Sequence, residues 1–524
     1  MQTSRRILFL LWLCYVTTVF AIHVGAQTSD TGAIIGSVTD AHGKVVPGAS
    51  VTVTNLGTNA KRTATAGAAG DFRVLLLPVG DYKIEATAPG FATFVVSPIA
   101  VRVSEKVTAD AQLTVRAATE TVTVTSRGEM VEHASSTLGA VVEPKTIVDL
   151  PLATRNFTQL LIFSPGVSTS VPDASALGLN SVELSSQGAF GADNNIEING
   201  IDSNATFTNT LGSYGGVVGI AVPAPDSLEE FKVQTGQYDA TTGRNGGASV
   251  AVVTKSGTNA FHGSMYEYFR NDDMDANSFF FNEQGLARPE LKQNVFGGTF
   301  GGPIMRDKLF FFGSYQGMRQ INGVSSGTTA FLPPLTNDRS QGTLGQIFAG
   351  QKGLQALGGI GPAILSDGSN ISPTAVAILN YKLPNGQYLI PTPAMPTGPT
   401  ILSAPAKFNE DQFNTNLDYQ FSAGSRISGK YFDSRENTVA PFGFGELPGW
   451  GSTTPARNQN LSVSYLKIVN PRLINVARFG FTRLKSTLTS DEPLQASQLQ
   501  MNLPSPLTDV PEIEIVGQFI FGGN

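Results

Sequence analysis

Beyond residue 26 the side chains whose type and spacing could do chemistry are few: three histidines, one run of acids and no cysteine. His42, His133 and His262 lie far apart along the chain. Protein zinc sites take ligands at short fixed spacings, as in His-x-x-Glu or His-Glu-x-x-His, because two donors one helical turn apart reach the same ion. No such pair occurs, so each histidine reads as an isolated surface residue. Asn271, Asp272, Asp273 and Asp275 have the donors to hold calcium. They do not complete an EF-hand loop, and a solvated turn between two strands is the better account. A Walker phosphate loop is also missing. The residues supply no catalytic set, no metal centre and no cofactor site, and an enzyme is not expected.

The first residues set the compartment. Arg5 and Arg6 precede an apolar run from Ile7 to Ile22, and Val24-Gly25-Ala26 stands before Gln27. Basic start, apolar centre and small residues at the cut are the parts of a secretory signal peptide, with cleavage expected between Ala26 and Gln27. The apolar run falls short of the ~20 residues that span a bilayer as a helix. Cys14, the single cysteine, would leave with it, so disulfides and thiolate chemistry are excluded from the mature chain. Without Arg5 and Arg6, 33 basic residues stand against 41 acidic ones. The balance is mildly acidic, basic clusters are lacking, and nucleic acid is excluded as a partner. Only 15% of residues are charged and mean hydropathy is near zero, which suits an all-β chain, either a soluble solenoid or a membrane barrel.

The elements that must position any site begin with short strands divided by Gly and Pro turns over residues 33–115, the pattern of a β-sandwich. Gly36-Ser-Val-Thr-Asp40, Pro47-Gly-Ala49, Gly70-Asp-Phe72 and Leu77-Pro-Val-Gly-Asp-Tyr82, with Gly90-Phe91, resemble the carboxypeptidase regulatory-like domain. The resemblance implies a seven-stranded, transthyretin-like sandwich of the carbohydrate-binding-like group, assigned to residues 27–117, and no peptidase. Glu120-Thr121-Val122-Thr123-Val124-Thr125 then resembles a TonB box, a strand handed to the energy-transducing protein TonB by β-augmentation. The last strand of the sandwich, or a linker, is the alternative.

Residues 118–255 resemble the plug of TonB-dependent outer-membrane receptors. The match runs through Leu150-Pro-Leu-Ala-Thr-Arg155-Asn156-Phe157 and the Asn199-Gly200 hairpin turn in Asn195-Ile-Glu-Ile-Asn-Gly-Ile-Asp202. It continues through Glu229, Gly236, Tyr238, Gly243, Arg244, Gly246 and Gly247 to Lys255, and the wording is similar to the Oar-like subgroup. The glycines let the backbone turn tightly and approach a barrel wall. Residues 256–524 carry barrel-like strands. Phe413, Thr415, Leu417, Tyr419 and Phe421 alternate with Asn414, Asn416, Asp418, Gln420 and Ser422, one apolar and one polar face over ten residues. Leu461 to Val469 repeats this with Lys467 on the apolar side, near a membrane interface. Tyr266, Tyr268, Phe269 and Phe310 to Phe312 suit aromatic girdles, or ordinary core packing. Residues 320–407 read as one long Gly/Pro/Ser-rich loop. A plugged barrel needs about 22 strands, and the seven to nine strands counted here predict a barrel truncated within its sequence.

The expected fold class is therefore mainly β: an N-terminal transthyretin-like sandwich, a mixed α/β plug, then a partial antiparallel transmembrane barrel. The resemblance implies energy-coupled uptake of a large nutrient across the outer membrane, with TonB, outer-membrane lipid and an extracellular substrate (a glycan or metal chelate) as partners and the sandwich in the periplasm. A non-transporting structural or adhesion protein whose sandwich binds carbohydrate or protein is the alternative.

Overall fold

The computed structural model describes residues 30–115, 121–124, 138–150, most of 152–205, 221–236 and most of 245–523. The chain is mainly β. Nine strands come first: β1 (Thr31–Asp40), β2 (Ser50–Asn55), β3 (Lys61–Thr65), β4 (Asp71–Pro78), β5 (Gly80–Thr87), β6 (Thr93–Val101), β7 (Lys106–Thr108), β8 (Ala111–Leu113) and β9 (Thr121–Val124). They make two sheets, one with β1 between β4 and β7 and also paired to β8, the other in the order β3-β2-β5-β6-β9. Period-two alternation builds the core between them: Phe72, Val74 and Leu76 point inward from β4 while Asp71, Arg73 and Leu75 stay outside. Tyr82 is buried and its hydroxyl donates to the Pro78 carbonyl at 2.7 Å, so the polar end of the ring is satisfied.

The next unit contains β10 (Leu138–Val142), β11 (Val167–Thr169), β12 (Leu184–Ser186), β13 (Asn195–Ile198), β14 (Ile201–Asp202), β15 (Leu228–Gly236) and β16 (Ser249–Thr254). Its five-stranded sheet runs β10-β15-β16-β13-β14, and β13 pairs with β16 in parallel. A helix over Pro144–Asp149 and a 3-10 helix over Phe157–Phe163 bring Ile147, Phe157, Leu160 and Leu161 into one core with Phe231 and Val250. Phe157 and Phe231 meet with ring centroids 5.1 Å apart.

The remaining strands are β17 (His262–Asn271), β18 (Leu291–Met305), β19 (Leu309–Asn322), β20 (Gly327–Ala330), β21 (Thr400–Ser403), β22 (Ala406–Ser422), β23 (Ser425–Ala440), β24 (Ser452–Asn470), β25 (Leu473–Ser486), β26 (Thr489–Ser490), β27 (Ile513–Ile515) and β28 (Phe519–Phe521). A continuous antiparallel wall runs β17-β18-β19-β22-β23-β24-β25, with β26 also on β24. Its long strands reach 10 to 19 residues, enough to cross a bilayer when tilted. Among the described residues β17 and β25 do not pair with each other, so the wall is an open, partial barrel. Connections at one end are tight (306–308, 423–424, 471–472), and those at the other are long (272–290, 323–405, 441–451).

Residues 320–407, expected as loop, contain the antiparallel β20/β21 pair and, between its strands, helices over Gln341–Phe348 and Pro373–Asn380. They form a core that includes Leu335, Leu344 and Leu389 and is completed from far along the chain by Trp450, Leu499 and Phe521. The girdle assignment also needs correction. Register on β19 turns Phe310 and Phe312 inward, where both are buried, and only Phe311 faces out against Phe300.

Candidate functional site

The wall is turned inside out relative to a soluble sheet. Along β22 the apolar Phe413 and Leu417 are 46% and 48% exposed, while Asn414 and Asn416 are 3% and 0% exposed. Phe300, Phe421, Phe479 and Phe481 continue the exposed apolar face; Gln293, Gln316, Gln320, Asn458 and Asn460 continue the buried polar one. A soluble sheet buries its apolar side because water penalises that surface. The reverse arrangement is stable only where lipid meets the apolar face and a polar lumen meets the other. Lys467, on the outward face of β24, is exposed near the tight-turn end, where an ammonium can reach the membrane interface.

The second unit fills the concave side and meets the wall through hydrogen bonds. Asn416 donates to Thr254 Oγ1 at 3.0 Å and to the Lys255 carbonyl. The Gln412 amide donates to the Val222 carbonyl at 3.1 Å, and Asn460 to Ser203 Oγ at 2.9 Å. Lys430 donates to the Thr254 carbonyl at 3.0 Å and to Asn199 Oδ1 at 3.3 Å, and Arg478 to the Gly200 carbonyl at 3.1 Å; Arg478 also reaches Asp30 Oδ1, just ahead of β1 of the sandwich, at 2.7 Å. A hydrogen-bonded contact of this kind can be exchanged for water at small net cost, unlike a fused apolar core.

Several of the sequence-predicted residues hold joints within this second unit. Asn199 and Gly200 have φ of 54° and 72°, the two positive angles of a type I′ hairpin turn. Asn199 Oδ1 accepts from Thr254 N and Oγ1, both at 3.0 Å, which ties the turn to β16. Asn156 caps the Phe157–Phe163 helix by accepting from Thr158 N at 3.0 Å. Arg155 is buried, pairs with Asp226 and stacks over Tyr268 at 4.3 Å, so Tyr266 and Tyr268 face the plug. Lys255 donates to the Asp226 carbonyl at 2.9 Å. Glu229 lines a cavity of about 630 Å³ between sandwich, plug and wall, with Arg62, Arg426, Lys430 and Arg478; burial raises its carboxyl above the ordinary range. At Gly247 a Cβ would stand 2.4 Å from Asn194 Oδ1, so glycine is required for close approach, whereas Gly246 faces open space and Gly236 ends β15. Ala26, Gln27, Glu120, Thr125, His133, Tyr238, Gly243 and Arg244 lie outside the described residues.

Thr121, Val122, Thr123 and Val124 form β9, which lies parallel to β6 with Thr93↔Thr121 through Val96↔Val124 in register. The loop after β6 grips the plug. Arg102 bridges Glu143 at 2.7 Å and Glu230 at 3.6 Å, Val103 N–H donates to Glu230, and Lys232 donates to the Ser104 carbonyl at 3.1 Å. Glu230 is fully buried, and burial pushes its carboxyl up to about 8 against the opposing pull of the Val103 N–H and Arg102. Sequence reasoning did not single out Arg102, Asp226, Glu230, Lys430 or Arg478. Their partners lie tens to hundreds of residues away, and an inward charge on a polar strand face was the sole local signal.

Asp272 accepts from Leu291 N at 3.1 Å and Arg288 approaches Asp273 at 3.4 Å, so this acidic cluster anchors the long connection between β17 and β18. Gly323-Val-Ser-Ser-Gly327 has the spacing of a hydrolase nucleophile elbow, but Gly327 opens a strand where the elbow needs a helix.

Two family models match the chain. The outer membrane beta barrel domain model matches residues 253–524, and the carboxypeptidase regulatory-like domain model matches residues 33–114. The TonB-dependent transporter Oar of Myxococcus xanthus is 26% identical over 324 residues, covering 58% of this chain and 29% of that protein. The chain thus spans about three tenths of the length of the curated relative it matches. Among solved structures, the outer membrane transporter YddB of Escherichia coli has a TM-score of 0.44 at 11% identity, covering 68% of this chain and 40% of that one. The alcaligin outer membrane receptor FauA of Bordetella pertussis has a TM-score of 0.34 at 11% identity, over 68% and 48% of the two chains. With more than half of its residues matched by one model, the chain belongs to the outer membrane beta barrel domain family.

Proposed function

We propose that this chain serves in an outer-membrane receptor of the TonB-dependent class, importing a nutrient too large for simple pores by moving a plug within a barrel. The observation that carries the reading is the polar seam between plug and wall, Lys430, Asn416, Asn460 and Arg478 against Asn199, Thr254, Ser203 and Gly200. A seam of exchangeable hydrogen bonds suits a plug that must be held closed and yet rearrange when pulled. The similarity to the TonB-dependent transporter Oar supports TonB as the energising partner. We assign Glu120–Thr125 as the segment it takes, on the resemblance of those residues to a TonB box. Substrate would enter from the long-loop end, above the core that contains Trp450, and a metal chelate or an oligosaccharide fits the class equally. The sandwich lies at the tight-turn end, where Asn59 donates to Asp307 at 3.0 Å, and is assigned to the periplasm. The test is uptake of labelled ferric chelates and oligosaccharides by cells expressing the chain, with TonB present or deleted. Uptake of one of them that disappears without TonB is the expected result; uptake indifferent to TonB, or none of either class, would refute the proposal.

A further inference from the structure

We propose that the sandwich holds Thr121–Val124 as the ready edge of its own sheet, onto which a strand of the periplasmic partner adds without first releasing it. The proposal rests on the TonB reading above and deepens it. β9 is the terminal strand of the order β3-β2-β5-β6-β9, so one of its edges is spent on β6. Among the described residues nothing pairs with the other edge. A terminal strand with a free row of N–H and C=O groups is a template for another chain, and β-augmentation draws its affinity from those main-chain groups. Thr and Val alternate through the segment, the β-branched residues that favour extended backbone. Because β6 already fixes these four residues as a strand, the partner need not bear the entropy of ordering them.

The platform has a defined length. Pro98, two residues beyond Val96, supplies no N–H, and the parallel ladder stops at Val96↔Val124. The far end of β6 also leads into the grip on the plug. Val101 closes the strand, and Arg102, Val103 and Ser104 hold Glu143, Glu230 and Lys232. A strand added at β9 is therefore joined to plug strand β15 through β6, by a route separate from the covalent segment 125–137.

The experiment uses the full chain in detergent with Cys14→Ser and a cysteine pair, V95C with T123C, whose Cα atoms are register partners within disulfide reach. T93C with T123C is the off-register control. Binding of the purified periplasmic domain of TonB is then measured before and after oxidation. The proposal expects a bridge in the first pair and not in the control, with the bridged chain binding TonB within about threefold of the reduced chain or tighter. No bridge above the control overturns the docking of β9 on β6. Binding lost by about tenfold or more only on oxidation overturns presentation in favour of sequestration and leaves the TonB reading standing. A bridged chain that binds TonB in neither state overturns the partner assignment together with that reading.

Discussion

Replacing Glu230 with glutamine isolates the buried carboxyl among the contacts that fasten the sandwich to the plug. The carboxyl is fully buried, accepts from Val103 N–H, and stands 3.6 Å from an Arg102 whose closer partner is Glu143 at 2.7 Å. Burial pushes it from 4.5 to about 8. The folded state therefore keeps the proton over a range in which the unfolded chain has lost it. The contribution of Glu230 to stability falls as pH rises from near 4.5 to about 8, then levels. A carboxyl held that far above its ordinary value costs the folded state roughly 4–5 kcal/mol once fully ionised. Glu230→Gln keeps an acceptor for Val103 N–H and removes the ionisation, so it should match the parent near pH 5 and exceed it by a few kcal/mol at pH 8 and above. Thermal unfolding and limited proteolysis between the two units, followed from pH 5 to 9, read this directly. An unchanged pH slope in the variant, or a parent that gains on the variant as pH rises through this range, would refute the reasoning.

Three further outcomes follow. Phe413→Arg places a cation on the outward apolar face and should lower the stability of the inserted protein by about 2–4 kcal/mol, read by urea titration in vesicles. Gly200→Ala puts a Cβ 1.7 Å from Arg478 Nη1 at a φ of 72°, and should cost about 1–3 kcal/mol, with faster proteolysis at the plug hairpin. Val122→Pro with Val124→Pro removes two main-chain N–H groups from β9, and TonB-dependent uptake should be abolished while outer-membrane abundance is kept.

What could be read in the sequence was what local periodicity encodes. The alternation from Phe413 to Ser422 gave both faces of β22, and Asn199-Gly200 gave the type I′ turn, because each depends on residues within a few positions. The alternation of Thr121–Val124 was equally visible, and its pairing with β6 bears out the alternative reading as the last strand of the sandwich; the edge it meets was not legible, since an extended strand carries no record of its neighbour. Residues 320–407 looked like loop because Leu335, Leu344 and Leu389 follow no single period, and their core closes only with Trp450 and Phe521. Phe310 and Phe312 were visible as aromatics, but their direction is a matter of register, and a shift of one residue reverses every side chain. Arg102–Glu230 and Arg155–Asp226 join partners 128 and 71 residues apart, beyond any local pattern.

Which side of the wall meets lipid decides whether these strands form a membrane barrel. Spin labels placed one at a time at residues 413 to 418, in the Cys14→Ser chain inserted in outer-membrane vesicles, report oxygen accessibility from the bilayer. High accessibility at 413, 415 and 417 with low accessibility at 414 and 416 is the predicted result; the opposite phase, or no two-residue alternation, would contradict it.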